Sequence, residues 1–221
     1  GYVDGMLDGT VPKNKRMQYL SIVSQEMQRL KILISSMLNL TKFDNGTIEI
    51  HYQLFPIQDL AFRTILMFES RLEKRNITLE GLDSEPVQVW GDPDLIGQVI
   101  YNLFENATKF VNTGGTITFT FKDEPNNTSI AIRNTGAGIS KEEFPIIFVR
   151  FYKSDDSRSH DKTGLGIGLD ITKHIVRLHK AQISVSSEEG EYTEFLIRLP
   201  KKDAPAESPT ENPEKQPKDA R

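Results

Sequence analysis

The chain has 221 residues, 37% hydrophobic and 26% charged, with a formal charge of −4. This is a globular composition with material for a sizeable core and without the dense positive field that nucleic-acid or anionic-membrane binding demands. No cysteine occurs, which removes disulfide frameworks, thiolate zinc sites and cysteine nucleophiles and is what a reducing compartment tolerates. The apolar runs fall well short of the roughly 20 residues that cross a bilayer and no signal-peptide pattern opens the chain, so a soluble fragment is expected.

The chain opens at Gly1-Tyr2-Val3 without an initiator Met, as a piece of a longer protein would. A short apolar pattern (Tyr2, Val3, Met6, Leu7) stops at Asp8-Gly9-Thr10-Val11-Pro12, where glycine and proline break a helix and permit a reversal. Leu20, Val23, Met27, Leu30, Ile34 and Met37 then step by 3, 4, 3, 4 and 3, the period of a seam between packed helices. Residues 1–43 are expected to form a helical hairpin, and a hairpin with so apolar a seam is expected to pair with a second copy into a four-helix bundle, a homodimer.

From residue 46 the pattern changes. Thr47-Ile48-Glu49-Ile50 alternates like a strand, 57–75 read as an amphipathic helix, and short β-like stretches follow at 76–80 and 87–90. Asp92-Pro93 places a cap and a first-turn proline before a helix running to about Phe110. Strands at 116–121 and 128–133 flank the turn-rich Asp123-Glu124-Pro125-Asn126-Asn127; a helix at about 166–180 and strands at 182–187 and 192–199 complete the pattern. The expected class is α+β, with helices on one face of a mostly antiparallel sheet following the N-terminal hairpin. Residues 201–221 hold four prolines, five basic and five acidic side chains and no apolar residue larger than Ala, a composition that cannot offset its ordering entropy and is read as a disordered tail. The expected domains are 1–45, 46–200 and this tail.

Four stretches of the second domain are too polar or too glycine-rich for ordinary packing. Asn102, Asn106 and Lys109 recur at i, i+4 and i+7 and share a helical face; amide oxygens suit a hard cation such as Mg²⁺, and a lysine one turn on meets phosphate oxygens. Read alone, the same face could be a solvated one with a favourable C-terminal cation. Asn134-Thr135-Gly136-Ala137-Gly138 follows a strand, and its glycines allow backbone to approach a ligand or simply to turn. Phe148-Val149-Arg150-Phe151-Tyr152 precedes an entirely polar stretch at 153–163 that could lie over a site. Gly164-Leu165-Gly166-Ile167-Gly168 opens a helix whose N-terminal N–H groups suit phosphate, without the Walker ending or the Rossmann spacing.

In order and spacing these stretches closely resemble the N, G1, F and G2 boxes of the sensor histidine kinases of bacterial two-component systems. The resemblance covers about residues 46–200 and implies the GHKL (Bergerat) ATP-binding fold, with the hairpin resembling the family's dimerisation and histidine-phosphotransfer domain. It implies Mg²⁺ and ATP as cofactors. Asn102 and Asn106 would hold the metal, Lys109 would contact phosphate, Phe110 would line the pocket, and Asn134, Gly136 and Gly138 would shape its adenine end. Phe148, Phe151 and Tyr152 would anchor the cover, and Gly164, Leu165 and Gly166 would bring the helix N-terminus to the phosphates. GHKL ATPases that hydrolyse ATP carry a glutamate base in the place of Asn102, so the amide suits transfer to a protein acceptor. The implied partner is a response-regulator receiver domain. The implied location is the cytoplasmic side of a bacterial cell membrane, reached only through a sensor region upstream. A nucleotide-binding but catalytically weak dimeric scaffold is the alternative.

Two departures stand out. The phosphoacceptor histidine box is expected roughly ten residues before Gly1-Tyr2 and does not occur in this chain; His51 has Pro56 five positions on but Tyr52 beside it, and His160, His174 and His179 lack the context. Asn134 stands where the family's G1 box carries an aspartate that accepts from the adenine amino group. Its oxygen still accepts, but without charge, and a flipped amide would donate to guanine instead.

Overall fold

The computed structural model describes residues 5–6, 8–20, 22–23, 27, 49–153 and 166–202. Of the expected hairpin, residues 5–6, 16–20, 22–23 and 27 are helical and a bend occupies Asp8-Gly9, where the Asp8 carboxylate accepts from Thr10 N and Oγ1 at 2.9 and 2.6 Å. Leu30, Ile34 and Met37 lie outside the described residues, as do 203–221 of the expected tail.

The second region is built from β1 (Gln53–Pro56), α1 (Ile57–Lys74), β2 (Thr78–Glu80), β3 (Gln88–Gly91), α2 (Pro93–Phe110), β4 (Thr116–Asp123), β5 (Asn127–Thr135), α3 (Gly168–Leu178), β6 (Gln182–Glu188) and β7 (Tyr192–Pro200). Five strands form one sheet in the order β2-β4-β5-β7-β6, antiparallel except for the β2–β4 edge, while β1 and β3 form a separate antiparallel pair. Alternation aims Ile117, Phe119 and Phe121 of β4, Ile130 and Ile132 of β5, and Phe195, Ile197 and Leu199 of β7 into the core. The helices answer with buried stripes: Ile57, Ala61, Thr64, Phe68 and Leu72 on α1, and Ile96, Val99, Ile100, Leu103, Phe104 and Ala107 on α2. Phe68, Phe104, Phe119 and Phe121 follow one another at 5.4, 5.4 and 5.9 Å between ring centres, edge-on, tilted and stacked in turn, carrying the packing from α1 through α2 to the sheet.

Two elements differ from expectation. Glu49 and Ile50 are not in a strand; β1 starts at Gln53, because pairing is set by the partner, β3, whose Gly91 and Gln88 face Gln53 and Pro56. The last helix starts at Gly168 and ends at Leu178: Gly166 has φ of +68°, outside the helical region, and Lys180 takes φ of +53° while Ala181 N–H returns to Val176 O at 3.0 Å, which closes the helix.

Candidate functional site

α2 carries the first set of candidate residues and is unusually well fixed. Asp92 Oδ1 accepts from the N–H groups of Asp94 and Leu95 at 3.0 and 3.2 Å, with Pro93 in the first turn. At the other end Arg75 spreads its guanidinium over the carbonyls of Thr108 (2.6 Å), Lys109 (3.4 Å) and Val111 (2.5 Å). A cation there satisfies orphan carbonyls and complements the helix dipole. Arg75 is a structural support of this helix that sequence reading missed, since a side chain capping a helix 33 positions away leaves no local pattern.

On the helix itself, Asn102 donates from Nδ2 to Gly168 O (3.1 Å) and Thr172 Oγ1 (3.4 Å), tying α2 to the first turn of α3. No donor among the described residues reaches its Oδ1. Asn106, half-buried, has no side-chain hydrogen-bond partner among them. Lys109 pairs with Glu105 at 3.2 Å in the favourable acid-before-base order. Phe110 is partly exposed at the end of the helix. A groove of about 620 Å³ between α1 and α2, lined by Met67, Arg71, Arg75, Tyr101 and Glu105, is not this face: Tyr101 and Glu105 each sit about 100° round the helix from Asn102 and Asn106.

The G1 stretch is clamped from both sides. Val111 and Gly136 form an isolated bridge, Gly136 N–H donates to Glu191 O at 3.0 Å and Gly190 N–H to Ala137 O at 2.7 Å. A Cβ on Gly136 would stand 2.3 Å from Phe110 O, and one on Gly138, at φ +75°, 2.4 Å from Glu188 O, so the glycines are required by close backbone approach. Asn134 is buried on β5 and donates Nδ2–H to Thr135 O at 3.0 Å. That bond leaves Oδ1 as the acceptor. The flip that would let the amide donate to guanine sets Oδ1 against a carbonyl oxygen, so it is opposed.

The F stretch is held by Glu143, whose Oε2 accepts from Ser140 N and Oγ at 3.3 and 3.0 Å and whose Oε1 accepts from Tyr152 Oη at 2.8 Å. Ser140-x-x-Glu143 has the spacing of a capping box, which could have been read from sequence, and makes its Glu-to-Ser140 N–H half over a run of turns. Phe148 packs edge-on against Phe195, whereas Phe151 is exposed, at φ +65°, with its N–H on Gly166 O at 2.8 Å. A Cβ on Gly166 would lie 2.5 Å from Tyr152 O, so this glycine serves to seat the F stretch on the entry to α3. Arg150 Nε meets Asp170 Oδ2 at 2.9 Å. Asp170 is buried in the first turn of α3, where it suits the dipole but opposes any other anion at that end, and Arg150 neutralises it. Gly164 and Leu165, with residues 154–163, lie outside the described residues. His174 Nδ1 lies 2.9 Å from Asp170 O, and His179 is fully enclosed.

A five-stranded sheet backed by three helices, with two polar stretches converging where α2 meets α3, defines an ATPase domain of one family. Residues 91–203 match the model of the histidine kinase-, DNA gyrase B- and HSP90-like ATPases, and the chain belongs to that family. Within it the chain is similar to the sensor protein SrrB of Staphylococcus aureus strain NCTC 8325 / PS 47, 32% identical over 203 residues, 91% of this chain and 35% of that protein. It thus spans about a third of the length of the curated relatives it matches. Among solved structures it resembles the catalytic domain of histidine kinase ThkA in a nucleotide-free form (TM-score 0.59, 27% identity, 68% of this chain, 95% of that one). It shares its fold with the Acinetobacter baumannii histidine kinase AdeS (TM-score 0.73, 20% identity, 92% and 93% covered).

Proposed function

We propose that the chain is the catalytic core of a two-component sensor histidine kinase, which binds Mg·ATP between α2 and α3 and directs the phosphoryl group to a histidine outside these 221 residues, for onward transfer to a receiver-domain aspartate. The observation that carries this reading is the α2 face on which Asn102 Oδ1 and the whole Asn106 amide have no protein partner among the described residues, beside the entry to α3 on which Gly166 seats the F stretch. Unengaged amide oxygens fit a hard cation. Among the described residues no group of three or more His, Asp or Glu stands ready to hold a metal by itself, which fits a cation that arrives with the nucleotide. Bound Mg·ATP supplies the transferable phosphoryl group and its charge neutralisation.

The chain's own residues position. Asn102 and Asn106 present oxygens to the metal, Lys109 faces phosphate, Phe110, Phe151 and Tyr152 line and border the nucleotide, and Gly164, Leu165 and Gly166 admit phosphate oxygens to the N–H groups opening α3. Asn102 cannot take a proton from water, which favours transfer over hydrolysis. Gly136 and Gly138, packed against backbone on their Cβ sides, shape the adenine end beside Asn134. The amide donated to Thr135 O leaves Oδ1 for the adenine amino group, so ATP is expected to be preferred to GTP. Asn134→Asp restores charge to that bond while setting its second oxygen against Thr135 O, and the charge is expected to prevail, tightening ATP by on the order of 1 kcal/mol, about fivefold. Calorimetric titration of ATP and GTP against both proteins checks this, and equal ATP affinities would mean that the side chain does not read the base.

Residues 1–43 dimerise in this reading. Leu20 and Met27 stand 49% and 61% exposed in the single chain, as a seam awaiting a partner would. Replacing Leu30 and Ile34 by Glu is expected to give monomers in sedimentation, and a monomeric unmodified chain at high concentration would overturn the bundle. Among the described residues no helix is long and apolar enough to cross a membrane; the membrane side of the protein would be a sensor region upstream. Incubation with γ-labelled ATP and a longer chain carrying the upstream hairpin tests the whole reading: label on histidine supports it, whereas ATP binding without transfer leaves the scaffold.

A further inference from the structure

At the end of the sandwich away from Asn102, a buried cluster joins three segments. His179, 2% exposed, directs Nδ1 to Ile175 O at 2.8 Å and receives Asp92 N–H on Nε2 at 3.1 Å. A carbonyl only accepts, so Nδ1 carries the hydrogen and Nε2 is bare: one tautomer of the neutral ring satisfies both contacts. Asp92 is the cap of α2, and its second carboxylate oxygen accepts His51 N–H at 3.0 Å. Tyr52, the next residue, places its ring edge-on to His179 (5.5 Å), stacks on Trp90 (5.7 Å) and donates to Leu178 O at 3.4 Å. A Cβ on Gly91 would come within 3.2 Å of the imidazole, so there is little room for the ring to swing away.

α2 and α3 are therefore tied twice, by Asn102 to Gly168 at the start of α3 and by Asp92 to His179 at its end. Two ties about three turns apart fix both the slide and the rotation of one helix on the other, and a single tie fixes neither. We propose that His179 is a positioning residue whose neutral, Nδ1–H imidazole locks the register of α2 against α3 and holds the 51–52 segment to the domain, so that nucleotide binding weakens when this ring is protonated. The inference rests on the proposed nucleotide seat between those helices.

Protonation adds a hydrogen at Nε2, which then opposes Asp92 N–H, donor against donor, and the tie must open. Burial holds the imidazole below its ordinary value of 6.5, against the pull of Ile175 O and the Asp92 carboxylate. Because the folded value is depressed, the tie is fully present above 6.5 and is lost as pH falls through the folded value. The other charged or titratable groups around the cluster are His51, whose backbone N–H is the group bonded to Asp92, Tyr52, whose hydroxyl burial pushes up, Arg177 and Lys180 flanking His179, and Lys202, whose ammonium stands 5.0 Å over the Trp90 ring; no contact among the described residues gives His179 a second acceptor.

Trp90 is the single tryptophan and reports on the cluster directly. For the unmodified chain, Trp90 fluorescence and calorimetric Mg·ATP affinity are expected to change together between pH 7.5 and a pH below 6.5 at which NMR shows His179 protonated, affinity falling at least fivefold beyond the change shown by His179→Gln. That variant retains an acceptor for Asp92 N–H and cannot titrate; the nucleotide's own titration is common to both proteins and cancels. His179→Gln is expected to bind at pH 7.5 within about threefold of the unmodified chain, and His179→Ala to bind weakly at both pH values. Identical pH profiles for the unmodified chain and His179→Gln overturn the proposal. Should the variants unfold, a long-range proton–nitrogen NMR spectrum of the unmodified chain decides: hydrogen on Nδ1 alone supports the lock, and hydrogen on Nε2 alone overturns it. Absence of Mg·ATP binding by the unmodified chain at pH 7.5 sinks the nucleotide seat instead, while the fluorescence and NMR readings still report on the tie.

Discussion

Asn106→Ala is expected to weaken Mg·ATP binding by roughly a hundredfold, about 2 to 3 kcal/mol, while leaving the fold intact. The first half follows from chemistry: a charge-assisted contact to a hard cation is lost, and Ala offers neither oxygen nor a bound water in its place. The second half follows from the surroundings. Asn106 has no protein hydrogen-bond partner among the described residues to orphan, it is only half-buried, and Ala is the better helix former by about half a kcal/mol. Binding falls and the melting temperature stays or rises slightly, a combination that a packing role would not produce. Calorimetric titration with a parallel thermal melt checks both, and unchanged affinity would make the Asn102, Asn106 and Lys109 face a solvated surface.

Gly136→Ala is expected to cost about 2 to 4 kcal/mol of stability and to abolish nucleotide binding. Its Cβ would meet Phe110 O at 2.3 Å and Phe110 C at 3.2 Å, backbone atoms that cannot rotate away. Neither side can retreat cheaply, since Val111 is bridged to Gly136 and Gly136 N–H is spent on Glu191 O. Overpacking of this kind costs 1–3 kcal/mol where neighbours can give, and here they are main chain pinned on both sides. Gly190→Ala is the control: it also has a positive φ, +80°, but a Cβ there meets nothing within 4 Å, so it pays only the left-handed conformation, about 1 kcal/mol. Equal losses in the two proteins, read from thermal unfolding, would show that conformation alone makes Gly136 a glycine.

α2 was legible to the residue from Asp92 to Phe110, because a cap, a first-turn proline and an apolar stripe are local signals that need no partner. β6 and β7 were legible nearly as well, each running one residue beyond its expected end. The Thr47–Ile50 alternation misled at Glu49 and Ile50, since alternation states that a segment could pair and not that a partner lies beside it; β3 took Gln53–Pro56 instead. The tautomer of His179 was invisible, for the hydrogen bond that decides it comes from Asp92, 87 positions away. Arg75 over the end of α2, Arg150 on Asp170 and Asn102 on Gly168 belong to the same class. Sequence by itself determined on which elements the candidate side chains ride, because propensity, capping and periodicity act over one or two turns. Only the tertiary structure decided which of their atoms remain unengaged, since a donor is spent or spared by whatever the fold brings against it.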